Sequence, residues 1–125
     1  MLENSKAFSG FSVDNVSKAK DFYGNTLGLR VTEAHGRLTL HFAGDREAFV
    51  YPKPNHAPAT FTILNFPVDD IEAVVDQLTA RGVHFERYDG TPAQTDDKGI
   101  YRGEGPLIAW FKDPAGNVLS VLEPE

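Results

Sequence analysis

The sequence predicts an α+β fold made of two βαβββ modules, and three observations carry that prediction. The chain repeats itself at an offset of 55 residues, each copy reads as a strand followed by an acid-capped helix with a glycine stop, and three further strands follow each helix. The repeat aligns FSVDNVSKAKDFYGNTLGLRV, beginning at Phe11, with FPVDDIEAVVDQLTARGVHF, beginning at Phe66. Phe11 matches Phe66, Val13 matches Val68, Asp14 matches Asp69, Val16 matches Ile71 and Asp21 matches Asp76; after a one-residue deletion, Gly28 matches Gly82. An ordered set of this kind points to duplication of one supersecondary unit. Module 1 then covers about 5–53 and module 2 about 60–123 of a single 125-residue domain. The join at about 54–59 falls in PKPNHAPA, whose three prolines suit a linker and not a central strand.

Each module opens with an alternating strand that runs into Asp14-Asn15 or Asp69-Asp70. Such side chains supply N-cap oxygens and suit the positive end of a helix. Ile71, Val74, Val75 and Leu78 fall at i, i+3, i+4 and i+7, one apolar stripe, and Val16, Ala19, Phe22 and Tyr23 form its counterpart. Gly28 and Gly82 end the helices where a left-handed residue is needed. Strands are expected at about 29–34, 37–43 and 47–52 in the first module, and at about 83–88, 106–112 and 117–123 in the second. The last pair is joined by Asp113-Pro114-Ala115-Gly116-Asn117, in which proline fixes φ and glycine reaches φ > 0. Between Tyr88 and Gly105 lies a glycine-rich stretch without periodicity, either a lid or a plain surface loop, with Ile100, Tyr101 and Arg102 as the lid candidates.

Composition is that of an ordinary globular chain: 41% hydrophobic, 11% aromatic and 24% charged. A net charge of −6 argues against a nucleic-acid partner, since phosphates would be repelled. It suits a cationic small ligand, although solubility alone also accounts for it. With no cysteine, disulfides, thiolate catalysis and Cys-ligated zinc are excluded. The N-terminus lacks the pattern of a secretory signal and no apolar run approaches 18 residues, so the expectation is a cytoplasmic protein without a membrane partner.

The segments VDNVSKAKDFYGNTLGL, VDDIEAVVDQLTARGV and FKDPAGNVLSVLE resemble the vicinal oxygen chelate superfamily, which includes glyoxalase I, bleomycin resistance proteins, fosfomycin resistance proteins and extradiol dioxygenases. The resemblance implies paired βαβββ modules curving into a cleft, commonly in a homodimer, and in the enzymes a divalent metal held there by His and Glu from the strands. The family's ligand positions fall on Phe8 in the first strand, Ile63 in the fifth, Ser120 in the last and a place near Ala48 in the fourth. Phe8 and Ile63 are again 55 apart, so the duplication supports the alignment. None of these side chains suits Zn²⁺, Ni²⁺, Mn²⁺ or Fe²⁺, and no cofactor is expected.

Strand parity selects the rest of the cleft. In LTLHF, Leu38, Leu40 and Phe42 form the face under the helix, leaving Thr39 and His41 for the cleft. In LIAWF, Leu107, Ala109 and Phe111 go under the helix, leaving Ile108 and Trp110 for the cleft, which makes His41 and Trp110 expected counterparts. Glu123 stands three residues from Ser120 and so turns to the opposite face, and it is Ser120 that looks inward. His35, His56 and His84 lie in turn, join and strand-start positions where histidines are usually solvated. His41 is the candidate catalytic residue, as a general base or a donor to ligand, with a purely structural polar role in a wet cavity as the alternative. The expected ligand-binding surface is Phe8, Gly10, Thr39, His41, Ile63, Asn65, Ile108, Trp110 and Ser120, unless these residues simply pack against one another. A Ser120 nucleophile lacks both a G-x-S-x-G elbow and an evident His–acid pair.

The functional expectation is a metal-free small-molecule binder that sequesters an aromatic or cationic compound. The alternatives are a glyoxalase- or dioxygenase-like metal enzyme with relocated ligands, such as His41 with Glu47 or Glu104, and a metal-free isomerase using His41.

Overall fold

A computed structural model describes residues 1–125, which divide into two compact units, 1–57 and 58–125. The first contains β1 (Ser9–Val13), α1 (Val16–Asp21), a π-helical segment (Phe22–Thr26), β2 (Arg30–Ala34), β3 (Arg37–Phe42) and β4 (Arg46–Pro52). The second contains β5 (Thr62–Pro67), α2 (Ile71–Ala80), β6 (Ile100–Tyr101), β7 (Leu107–Lys112) and β8 (Val118–Glu123). Each unit holds one four-stranded mixed sheet, in the orders β1-β4-β3-β2 and β5-β8-β7-β6. In both, the first strand runs parallel to the last and the hairpin pairs are antiparallel.

The helices begin as their sequences require. Asn15 Oδ1 accepts from Lys18 N at 3.0 Å, and Asp70 Oδ1 accepts from Ala73 N at 3.1 Å, which satisfies one free N–H at each start. Glu123 adds a second cap to α2, its Oε1 accepting from Ile71 N at 3.1 Å. The first helix departs from expectation. It leaves the α conformation after Asp21 and widens through Phe22–Thr26, where Leu27 N donates to Phe22 O at 2.9 Å. A π turn accommodates one inserted residue, and this is where the repeats differ by one residue. The widening seats Tyr23, fully buried, against Phe11 and Phe22 at ring separations of 6.0 and 5.2 Å.

The cores lie on the helix-covered sheet faces. In the first unit Val13, Leu38, Leu40, Ala48 and Val50 are buried; in the second Ala109, Phe111, Leu119 and Val121 pack with Ile71, Val75 and Leu78 of α2. The strand expected at about 83–88 is a correction. Only Phe85 bridges to β7, opposite Phe111, and Glu86 N donates to Trp110 O at 2.8 Å. The remainder of that edge is taken by β6, Ile100 opposite Ala109 and Tyr101 opposite Ile108. Two segments therefore share one free edge of β7, and neither can extend along it.

Candidate functional site

The relevant surface in each unit is the sheet face turned away from the helix. In the second unit, Trp110 and Asn65 lie directly opposite Ser120 on its two flanking strands, so all three share that face. Ser120 is fully buried, and its hydroxyl donates to Asn65 Oδ1 at 2.6 Å. That bond fixes the amide and leaves its NH₂ donors for another partner. Ile108 and Tyr101 pair across β6 and β7 on the same face. The Trp110 indole is flanked by Tyr88, edge-on at 5.3 Å, and by Tyr101, tilted by 52° at 6.1 Å. Burial, aided by the nearby Glu86 charge, pushes the Tyr88 hydroxyl above the usual tyrosine range against the opposing pull of Lys112. Ile63 is the extra residue of a bulge between Thr62 and Leu64, and it is half-buried.

In the first unit the corresponding face carries Gly10, Thr39 and Phe49 in one cross-strand row, with His41 opposite Glu47 in another. Phe8 precedes β1 and is 68% exposed, its ring edge-on to Phe49 at 6.4 Å; Phe49 in turn stacks with Tyr51 at 6.1 Å. His41 is held at both nitrogens, Nδ1 lying 3.3 Å from Glu47 Oε2 and Nε2 hydrogen-bonding Thr32 Oγ1 at 2.9 Å. The tautomer that satisfies both carries its proton on Nδ1 and accepts the threonine hydroxyl at Nε2.

Two register expectations are corrected by the ladders. Ala48 is buried on the helix face, and Phe49 stands where Ser120 stands in the other sheet: each is paired with the hairpin strand on one side and the parallel first strand on the other. Likewise Thr39, not His41, is the counterpart of Trp110. The His41 error comes from matching LTLHF to LIAWF position by position, two residues out of register, and the Ala48 error from counting from the turn glycines across hairpins of unequal length. The β3–β4 loop is residues 43–45, closed by the pair Phe42 and Arg46, whereas the β7–β8 loop is residues 113–117, closed by Lys112 and Val118. Equal counts from the two turn glycines thus land on opposite faces.

Other candidates resolve as follows. His35 and His84 are exposed, but His56 is half-buried and its Nδ1 hydrogen-bonds Ser12 Oγ at 2.7 Å, so it ties the join to β1 and is not simply solvated. Ile100, a lid candidate, is fully buried on the helix face opposite Ala109 and acts as an anchor of the segment. Arg102 is engaged by Asp96 and Glu72. Sequence reasoning missed Tyr88, Thr32, Glu47 as the orienting partner of His41, and Asp96. Tyr101 reaches the Trp110 face only through the pairing of β6 with β7, and nothing local marks Tyr88, whose place depends on a long connection.

The donor set does not fit a family metal. Phe8, Ile63 and Phe49 offer no lone pair, and the Ser120 hydroxyl is committed to Asn65. No group of three or more His, Cys, Asp or Glu side chains is placed to hold a metal ion, and His41 with Glu47 makes only a pair. No helix is long and apolar enough to cross a membrane.

Comparison with known proteins agrees with this architecture. A glyoxalase family protein from Enterococcus faecalis superposes with a TM-score of 0.71 at 23% identity, covering 98% of this chain and all of the other. TnmS3, an antibiotic binding protein from Streptomyces sp. CB03234, superposes with a TM-score of 0.68 at 26% identity over 98% of each chain. The fosfomycin resistance protein FosX from Mesorhizobium loti shares the fold alone, with a TM-score of 0.68 at 12% identity, covering all of this chain and 95% of the other. A search of the curated proteins finds no match. Residues 8–121 match the model of one family, and with the duplicated units and their parallel-closed sheets in place, the chain belongs to the Glyoxalase/Bleomycin resistance protein/Dioxygenase superfamily.

Proposed function

We propose that this chain binds a small aromatic or cationic molecule without a resident metal ion, on the sheet face that carries Trp110. The observation that carries this reading is the row Asn65–Ser120–Trp110: a buried hydroxyl, at a position the family resemblance assigns to a metal ligand, fixes an amide on one flanking strand in line with an indole on the other. Apolar rings with a few fixed polar groups are the composition of a small-molecule site. Trp110, flanked by Tyr88 and Tyr101, offers π faces to a planar ring or a cation. The similarity to an antibiotic binding protein at 26% identity supports sequestration in preference to turnover. A net charge of −6 favours a cation over an anion. The protein acts as a homodimer in the cytoplasm on this reading, and nucleic acid is not a partner.

Trp110 is the sole tryptophan, so its fluorescence reports on the site directly. Titration with a panel of planar aromatic compounds, neutral and cationic, is expected to quench or shift the emission saturably for at least one member. Asn65→Ala should weaken that binding by about tenfold, the cost of roughly one hydrogen bond to a ligand. A flat response across the panel overturns the reading.

A second reading is favoured by one contact set. Glu47 orients the His41 ring at Nδ1, as the acid–base group of a metal-free isomerase would be oriented, and on this reading substrate takes the place of the Thr32 hydroxyl at Nε2. Its signature is a turnover whose pH dependence disappears in His41→Ala.

A further inference from the structure

The connection from Tyr88 to Gly105 is fastened to its unit by a chain of ionic contacts. Asp96 Oδ1 accepts from the backbone N–H groups of Lys98 and Ile100 at 2.9 and 2.8 Å, and its Oδ2 accepts from Arg102 Nε at 2.9 Å. The same guanidinium donates to Glu72 Oε1 at 2.6 Å, in the first turn of α2. Lys98 pairs with Asp76 further along that helix at 3.2 Å.

Tyr101 stands between two tethered neighbours. Ile100 is fully buried opposite Ala109, and Arg102 is held by two carboxylates. The Tyr101 ring meets Trp110 on the far side of the sheet from α2. Its seat is Gly103, where a β-carbon would overlap the phenol oxygen and the ring carbons next to it. An open depression of about 380 Å³, bordered by Pro92, Gln94, Tyr101 and Arg102, gives the ring somewhere to go.

We infer that Tyr101 is a shutter on Trp110, seated on Gly103 and kept closed by the Glu72–Arg102–Asp96 ion-pair chain. Ionic contacts on the helix side of the sheet thereby set access to the indole on the other side. The inference deepens the binding reading, since it matters to function only if the Trp110 face takes a ligand. Partly exposed ion pairs are individually weak and are screened by salt, so the latch is light enough to open in the course of binding. Ile100 remains in the sheet, and the moving part is the Tyr101 side chain with the chain that follows it.

Acrylamide quenching of Trp110 tests this without any ligand, which separates its failure from failure of the binding reading. The wild type is expected to quench weakly at low salt and about twofold more steeply in 1 M NaCl, where the screening length shrinks to about 3 Å. Tyr101→Ala and Arg102→Gln should quench steeply at both salt concentrations, and Arg102→Lys should recover most of the protection. Gly103→Ala should match Tyr101→Ala, because the added methyl unseats the ring. If Gly103→Ala melts well below the wild type, Arg102→Gln and Arg102→Lys decide the matter between them. Wild-type quenching in folded Arg102→Gln, or no effect of salt on the wild type, overturns the inference.

Discussion

The contact between Gly99 and Phe85 shows how closely single residues constrain the second unit. Gly99 is buried at φ +91°, and a β-carbon there would sit 2.7 Å from Phe85 Cβ. Both the backbone conformation and the space exclude a side chain. The approach matters because Phe85 bridges to Phe111 at one end of β7 while Ile100, next to Gly99, occupies the other. Gly99→Ala is expected to destabilise by about 2–4 kcal/mol, the sum of a strained positive φ and an overpacked contact. Chemical denaturation read by far-UV dichroism checks it, and a change below half that size would mean that the two segments slide apart at little cost. Little of this could be read from sequence. Gly99 sits in a stretch with several glycines and no periodicity, and its necessity depends on a residue fourteen positions away. Ser120 was legible, by contrast, because its distance from Glu123 is odd within one uninterrupted strand, and Glu123 indeed reaches Ile71 N on the helix face.

Among elements, the first helix and the 88–105 connection separate what local sequence encodes from what it does not. The caps at Asn15 and Asp70 and the stripe of α2 are local properties, and they stand where the pattern puts them. The π widening at Phe22–Thr26 was legible only as an unexplained one-residue mismatch between the repeats. The connection was opaque because its structure comes from Asp96, whose partners lie on its own turn and beside α2. Burial works to raise the Asp96 carboxyl, but the hydrogen bond from Arg102 and those from the Ile100 and Lys98 amides outweigh it and hold it below its ordinary value of 3.8. A carboxyl depressed in the folded state contributes stability that is present above its unfolded pKa and is lost as pH falls through the folded one. The connection should accordingly stay fastened at neutral pH and loosen only below about pH 4. Hydrogen exchange at the Lys98 and Ile100 amides reads this directly: protection should fall with acid in the wild type and be low throughout in Asp96→Ala. Protection indifferent to both would show that the Asp96 carboxyl does not hold these amides.

Over the whole molecule, duplication explains the frame and divergence explains the chemistry. Two sheets with matching strand orders were legible from a repeat of 55 residues, because identities at caps and strand ends mark one unit used twice. Counterparts across the repeat were legible in the first strands, Gly10 with Asn65, where the offset of 55 holds; beyond hairpins of unequal length the offset is lost, and Ala48 and His41 stand in the expectation where the ladders place Phe49 and Thr39. Once those rows are aligned, one sheet presents Gly10, Phe49 and Thr39 where the other presents Asn65, Ser120 and Trp110. Neither row offers an imidazole or a carboxylate, and a borderline divalent ion needs several such donors converging on one point. His41 and Glu47 lie beside the first row, but their contact occupies Nδ1 while Thr32 occupies Nε2. A metal would have to displace one of these bonds and would gain only two ligands. Protein purified without a chelating tag, equilibrated with Zn²⁺, Ni²⁺ or Mn²⁺ and gel-filtered, is therefore expected to retain well under one ion per chain, with an unchanged melting temperature. His41→Ala should leave both results as they are. One retained ion per chain, lost in His41→Ala and accompanied by a rise in wild-type melting temperature, would reassign the site to metal chemistry built around His41 and Glu47.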